Sequence, residues 1–228
     1  MKNTFLLCCL ATLSFIACKT ENKQKTVTET TPEKELNILE KVAYAHGFEH
    51  WKAVKEIAFT FNVDREGNPH YQRSWVWDTK ENKVTAITDK DTLTYFRKDM
   101  DSIATKTNGG FINDKFWLMA PYNLIWDRDN ITYTLTPEAV APISEKKMQK
   151  LTIVYGNEGG YTPGDAYDFF FGDDYIIQEW NFRKGNQEEP SMSTTWQDYL
   201  ETKGLKIATA HKNKEGNFTL SFTGVEVK

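Results

Sequence analysis

Apolar positions along the chain change their spacing three times. Residues 5–17 are almost all apolar and follow Lys2. Residues 18–31 are polar and have no period, which reads as a flexible tether. Then Leu36, Leu39, Val42, Ala43 and His46 recur at three and four, predicting a helix over residues 32–46. Thr31 can cap it, Pro32 suits its first position, and Glu33 and Glu35 suit the positive end of its dipole. Gly47 stops it, and residues 48–54 read as a second short helical turn carrying Trp51.

From residue 57 the period is two. Ile57, Phe59, Phe61 and Val63 alternate with smaller or polar residues, and Tyr71, Arg73, Trp75 and Trp77 do the same after a turn at 64–69. Strands follow over 84–88 and 92–96, making an antiparallel meander with short loops. A short amphipathic helix is predicted over 111–118, ended by Ala120, Pro121 and Tyr122. Strands resume at 131–135 and 151–155, with a Pro-containing loop over 137–147 between them and a Gly-rich loop over 156–164 after them. A hairpin spans 165–171 and 175–183, and a last one 205–211 and 218–227. The expected fold class is mainly β (α+β): one curled antiparallel sheet or half-barrel, with the leading helix and the short middle helix on its concave side. Residues 32–228 form the single domain of this reading.

Composition narrows the class. The 228 residues carry a net charge of −4 and 14% aromatics, which excludes a mainly disordered chain. No Lys/Arg stripe appears, so nucleic acid is not an expected partner.

The three cysteines, Cys8, Cys9 and Cys18, all lie at the N-terminus. The apolar run is too short to span a bilayer as a mature helix and ends in Ala17-Cys18. This resembles the lipobox of bacterial lipoproteins, in which the cysteine is acylated and becomes the new N-terminus. Residues 1–17 are then a signal peptide, residues 18–31 the tether, and Cys18 the lipid anchor to a membrane. The alternative is an ordinary secretory signal with an incidental cysteine. Lys19 after the anchor fits outer-membrane sorting, facing the periplasm or the cell surface. Loss of residues 1–17 removes one positive charge, Lys2, taking the net charge from −4 to −5, and leaves one cysteine. The domain must then be held without a disulfide, by its core.

Candidate chemistry is sparse. His46 and His50 are four apart, but Gly47 breaks the helix between them, so no metal is expected. Ser144-Glu145-Lys146-Lys147 fits Ser-x-x-Lys without the companion motifs of serine acyl-enzymes. Asp165, Asp168, Asp173, Asp174 and Glu179 could line one rim as glycosidase carboxylates do, although solvated turns explain them too. Asp91-Thr92-Leu93 and Asp101-Ser102-Ile103 resemble O-glycosylation sites of Bacteroidota envelope proteins. No catalytic residue and no cofactor is expected.

Ala45-His46-Gly47, the Trp75-to-Asp78 run, the Phe116-to-Leu124 run and the Tyr167-to-Trp180 run carry a resemblance over nearly the whole domain. They resemble an uncharacterised family of Bacteroidota lipoproteins within the LolA/LolB-like half-barrel group. The resemblance to the carriers lies in the order of elements, so no binding residue transfers from them. The resemblance implies a half-barrel, and a curled sheet of this size has an inner face larger than one helix can fill. Aromatics and Met there would form a deformable apolar pocket. The expected ligand-binding residues are drawn from Trp75, Trp77, Phe116, Trp117, Met119 and Trp126; the alternative is that these aromatics are core. The expected function is binding of an acyl or other hydrophobic ligand, without catalysis. The alternatives are a glycan-binding lipoprotein and a small envelope hydrolase.

Overall fold

The structure is a computed structural model that describes residues 35–158 and 163–228. The signal segment, the tether, Cys18 and the Thr31–Pro32 helix start lie outside the described residues. Helix α1 runs Ile38–Ala45 and is capped by Asn37, not by Thr31. Asn37 and Glu40 form a capping box: the Asn37 side chain accepts from the Glu40 N–H at 3.0 Å, and Glu40 accepts in return from the Asn37 N–H at 2.9 Å. Gly47 ends the helix at φ 84°, in the left-handed region. A side chain there would also put its Cβ 1.9 Å from the Gly204 carbonyl oxygen. A 3-10 turn, Phe48–Ala53, follows.

The strands are β1 Glu56–Arg65, β2 Tyr71–Asp78, β3 Lys83–Ile87 and β4 Thr92–Phe96, then, beyond helix α2 Ser102–Trp126, β5 Ile131–Val140, β6 Lys147–Tyr155, β7 Ala166–Phe171 and β8 Ile177–Arg183. They end with β9 Met192–Thr195, β10 Gln197–Thr202, β11 Leu205–Lys212 and β12 Phe218–Val227. All ladders are antiparallel, in the orders β10-β11-β12-β1-β2-β3-β4 and β5-β6-β7-β8-β9. Trp196 alone separates β9 from β10, and its N–H donates to Gln178 at 2.7 Å. Lys212 on β11 in turn donates from its backbone to the Thr195 hydroxyl at 3.0 Å. The two sheets adjoin where β9 meets β11, and neither closes into a barrel, consistent with the curled antiparallel architecture expected from the alternating pattern.

Helix α2 fills the curl. Phe111, Leu118, Met119 and Tyr122 belong to the core of the seven-stranded half, and Phe116, Ala120 and Leu124 to that of the five-stranded half. A helix wedged between two apolar faces must be apolar on opposite sides, which removes the amphipathic stripe. That is why the helix is 25 residues long where the sequence pattern marks only 111–118. Its N-cap is Asp101, accepting from the Ala104 N–H at 2.8 Å, so the Asp101-Ser102-Ile103 pattern opens a helix. Nor does Pro121 end it. Met119 leaves helical geometry (φ −133°, ψ 27°), and Pro121 sits in the first turn after that kink, where its missing N–H has no intrahelical bond to make.

Two further departures have simple causes. Pro137 lies inside β5 rather than in a loop; β5 is an edge strand, and the register shifts between Thr136 and Ala139 around the proline. β9 and β10 are short, polar edge strands that present no apolar alternation to read.

One buried ionic cluster ties the sheet to α2. The Arg73 guanidinium on β2 donates to both oxygens of Asp114, at 2.5 and 2.6 Å, and the Trp75 indole N–H donates to the same carboxylate at 2.8 Å. Gly110 lets the guanidinium lie against the helix, since a Cβ there would stand 2.7 Å from Arg73 Nη1.

Candidate functional site

Between α2 and the inner faces of both sheet halves lies a cavity of 1060 Å³. One wall is Trp51, Trp77 and Trp126, whose rings contact one another at centroid distances of 4.8–6.2 Å. The facing wall is Phe116, Trp117, Tyr155, Tyr167, Trp180 and Phe182. Its rings are interlocked too: Trp117 meets Trp180 edge-on at 4.5 Å, and Phe116 meets Tyr167 at 4.6 Å. The alternation of β2, the kinked helix and the fully buried β7 thus bring aromatics from distant segments onto one hollow.

Of the six expected ligand residues, Trp77, Phe116, Trp117 and Trp126 line this cavity. Trp75 and Met119 do not. Trp75 is turned into the core by its bond to Asp114 and its edge contact with Phe111, and Met119 is buried at the kink. Lys115 is a lining residue that the periodicity hides, because a Lys on a helix reads as a solvated position. It is 7% exposed. Its ammonium lies 4.5 Å from the centre of the Trp126 ring and donates to Asn123 Oδ1 at 3.3 Å. Burial holds its pKa down to about 8, against the pull of Asp127 and with the help of Arg97. Asp127 in turn accepts from Asn123 Nδ2 at 2.6 Å and from the Tyr155 hydroxyl at 2.8 Å.

The other candidate groups do not converge. Asp168 is buried and binds Arg183 and the Thr152 hydroxyl, while Glu179, also buried, accepts the backbone N–H groups of Ile143 and Ser144. These two are internal ties, not the solvated turn charges that the sequence suggests. Asp174 caps its own turn and Asp165 accepts from the Gly185 N–H. Lys147 pairs with Glu138, not with Ser144. His46 is the C-cap of α1 and is fully buried; Nδ1 donates to the Val42 carbonyl at 2.8 Å, which leaves Nε2 to accept from the Ile177 N–H at 3.4 Å. Among the described residues no group of three or more His, Cys, Asp or Glu side chains could hold a metal ion. A second hollow of 730 Å³, beside the turns at Gly67 and Lys214, has a single lining aromatic, Phe218.

No protein-family model and no curated protein matches the sequence. Solved structures similar in fold include a LolA superfamily protein from Nitrosomonas europaea, at a TM-score of 0.49 and 8% identity over 84% of this chain and 92% of that one. A DUF1329 family protein from Desulfovibrio piger gives 0.46 and 9%, over 82% and 92%. A domain assigned to outer membrane lipoprotein sorting, from Vibrio parahaemolyticus, gives 0.46 and 9%, over 80% and 92%.

Proposed function

We propose that this domain binds an apolar chain in the cavity beside α2, without catalysis, and is held at the outer membrane by a lipid on Cys18. The observation that carries the ligand reading is the aromatic hollow of 1060 Å³, at the upper end of ligand clefts of about 300–1,000 Å³. All seven Trp are buried or half-buried, and the aromatics wall a concavity instead of forming a flat platform. That favours a chain over a glycan. Burying roughly ten methylene groups contributes about 8 kcal/mol, enough to offset the loss of ligand freedom, so binding is expected for chains of twelve or more carbons and to tighten with chain length.

The test uses the full chain carrying Cys18→Ala, titrated with dodecanoate and longer chains while Trp emission is followed. Saturable binding is expected, weakened at least tenfold by Trp117→Ala and by Trp126→Ala with the circular dichroism unchanged. No saturable response to any chain overturns the reading; saturation by an oligosaccharide instead replaces the ligand class. For the anchor, Cys18→Ala is expected to abolish labelling by a fatty-acid analogue and to release the protein from membranes. Retained labelling in that variant would remove Cys18 from the role.

A further inference from the structure

The cavity contains one polar group that its own walls leave underused. Lys115 is more than nine-tenths buried, lines the hollow, and has three N–H donors. Among the described residues it makes one hydrogen bond, to the Asn123 amide oxygen, and no ion pair. The faces of Trp126 and Trp77 lie 4.5 and 6.0 Å from it, and Asp127 and Arg97 act on it with opposite sign without bonding to it. Arg97 shares the hollow and is bonded to amides, Asn108 at 3.1 Å and Asn82 at 3.3 Å. The two lining carboxylates are engaged elsewhere: Asp127 with Asn123 and Tyr155, Asp165 with the Gly185 backbone. The lining therefore carries three cations, Lys80, Arg97 and Lys115, against two committed anions. A buried ammonium is unfavourable unless paired.

We propose that the occupant is a single-chain amphiphile with an anionic end, whose head group pairs with Lys115 while its chain lies among the Trp and Phe rings. This rests on the apolar-chain reading and narrows it: a free acid or a phosphate monoester fits, and the neutral ester-linked chains of an acylated protein do not supply the charge. The lowered pKa of Lys115 agrees with an ammonium awaiting an anion, because a paired anion would raise it again.

The experiment compares dodecanoate, dodecyl phosphate and methyl dodecanoate, the same chain with and without charge, on the full chain carrying Cys18→Ala at pH 7. One or both anions are expected to bind at least tenfold more tightly than the ester. The stronger of the two identifies the head group as carboxylate or phosphate. In Lys115→Met the anion advantage is expected to vanish while ester binding stays within about twofold, and Lys115→Arg is expected to restore it. Equal binding of anion and ester by the unsubstituted Lys115 protein overturns this inference and leaves the apolar-chain reading standing. An anion advantage that survives Lys115→Met also overturns it. Binding of none of the three overturns the apolar-chain reading itself. Equal binding by the Lys115 protein overturns the inference whether or not the variants fold.

Discussion

Replacing Asp114 by Ala is expected to lower the stability of the domain by about 3–5 kcal/mol, the usual loss when one partner of a buried ion pair is removed. Its side chain is fully buried and accepts from Arg73, from the Trp75 indole and from the Asn113 amide. The substitution leaves the guanidinium, which is 22% exposed, partly desolvated without its anion and strands the indole N–H. It also removes the carboxylate tie between β2 and α2, leaving the Arg73 bond to the Gly110 carbonyl and the Phe111 ring contacts. Urea unfolding followed by Trp fluorescence measures the change. A loss below about 1 kcal/mol would mean that water or a neighbouring group replaces the carboxylate. The paired change Arg73→Met with Asp114→Leu is expected to cost less than Asp114→Ala alone, because it removes both charges together.

Acidification from pH 7.5 to 5 is expected to destabilise the domain by about 4 kcal/mol through two histidines. Burial lowers His46 to about 4 and His211 to about 3, from 6.5. Unfolded, both take a proton as the pH falls through 6.5; folded, both stay neutral down to their lowered values. Proton uptake thus favours the unfolded chain across this window, by about 2 kcal/mol per histidine at pH 5. Stability from this source is complete above pH 6.5 and is lost below it. His70 has the opposite sign, since its hydrogen bond to Asp64 raises its pKa, but it is exposed and the pair is screened. Urea midpoints across this range check the expectation. A flat profile would mean that the two rings accept protons in place. His46→Gln and His211→Gln should each flatten the slope while reducing stability at neutral pH.

The parts of the fold legible in the sequence are those where one face meets the core and the other meets water. β1 and β2 alternate cleanly, and Gly47 stops α1 because only a residue without Cβ fits beside Gly204. α2 is illegible over most of its length because both of its sides are interior. Pro137 reads as a loop residue because a sequence does not state which strand will be an edge. The same distinction governs the site. Trp77, Phe116, Trp117 and Trp126 stand out as clustered aromatics, but the facing wall of Tyr155, Tyr167 and Trp180 comes from strands whose pairing the sequence leaves open. Lys115 is legible only once its neighbours on all sides are known. Asp168 and Glu179 show the converse: acidic residues beside a turn that are buried ties because the loop over 141–146 and Arg183 close on them.

One edge of the five-stranded sheet is β5, ten residues long and carrying the exposed Tyr133, Leu135 and Val140. A flat apolar border of that length invites strand addition from another molecule. Pro137 withholds an N–H at its middle, and the register shift there bends the backbone away from a straight ladder. The border is thereby divided into two short runs, each too brief to align a long foreign strand. The same proline that misleads a reading of local structure disfavours strand addition at this edge.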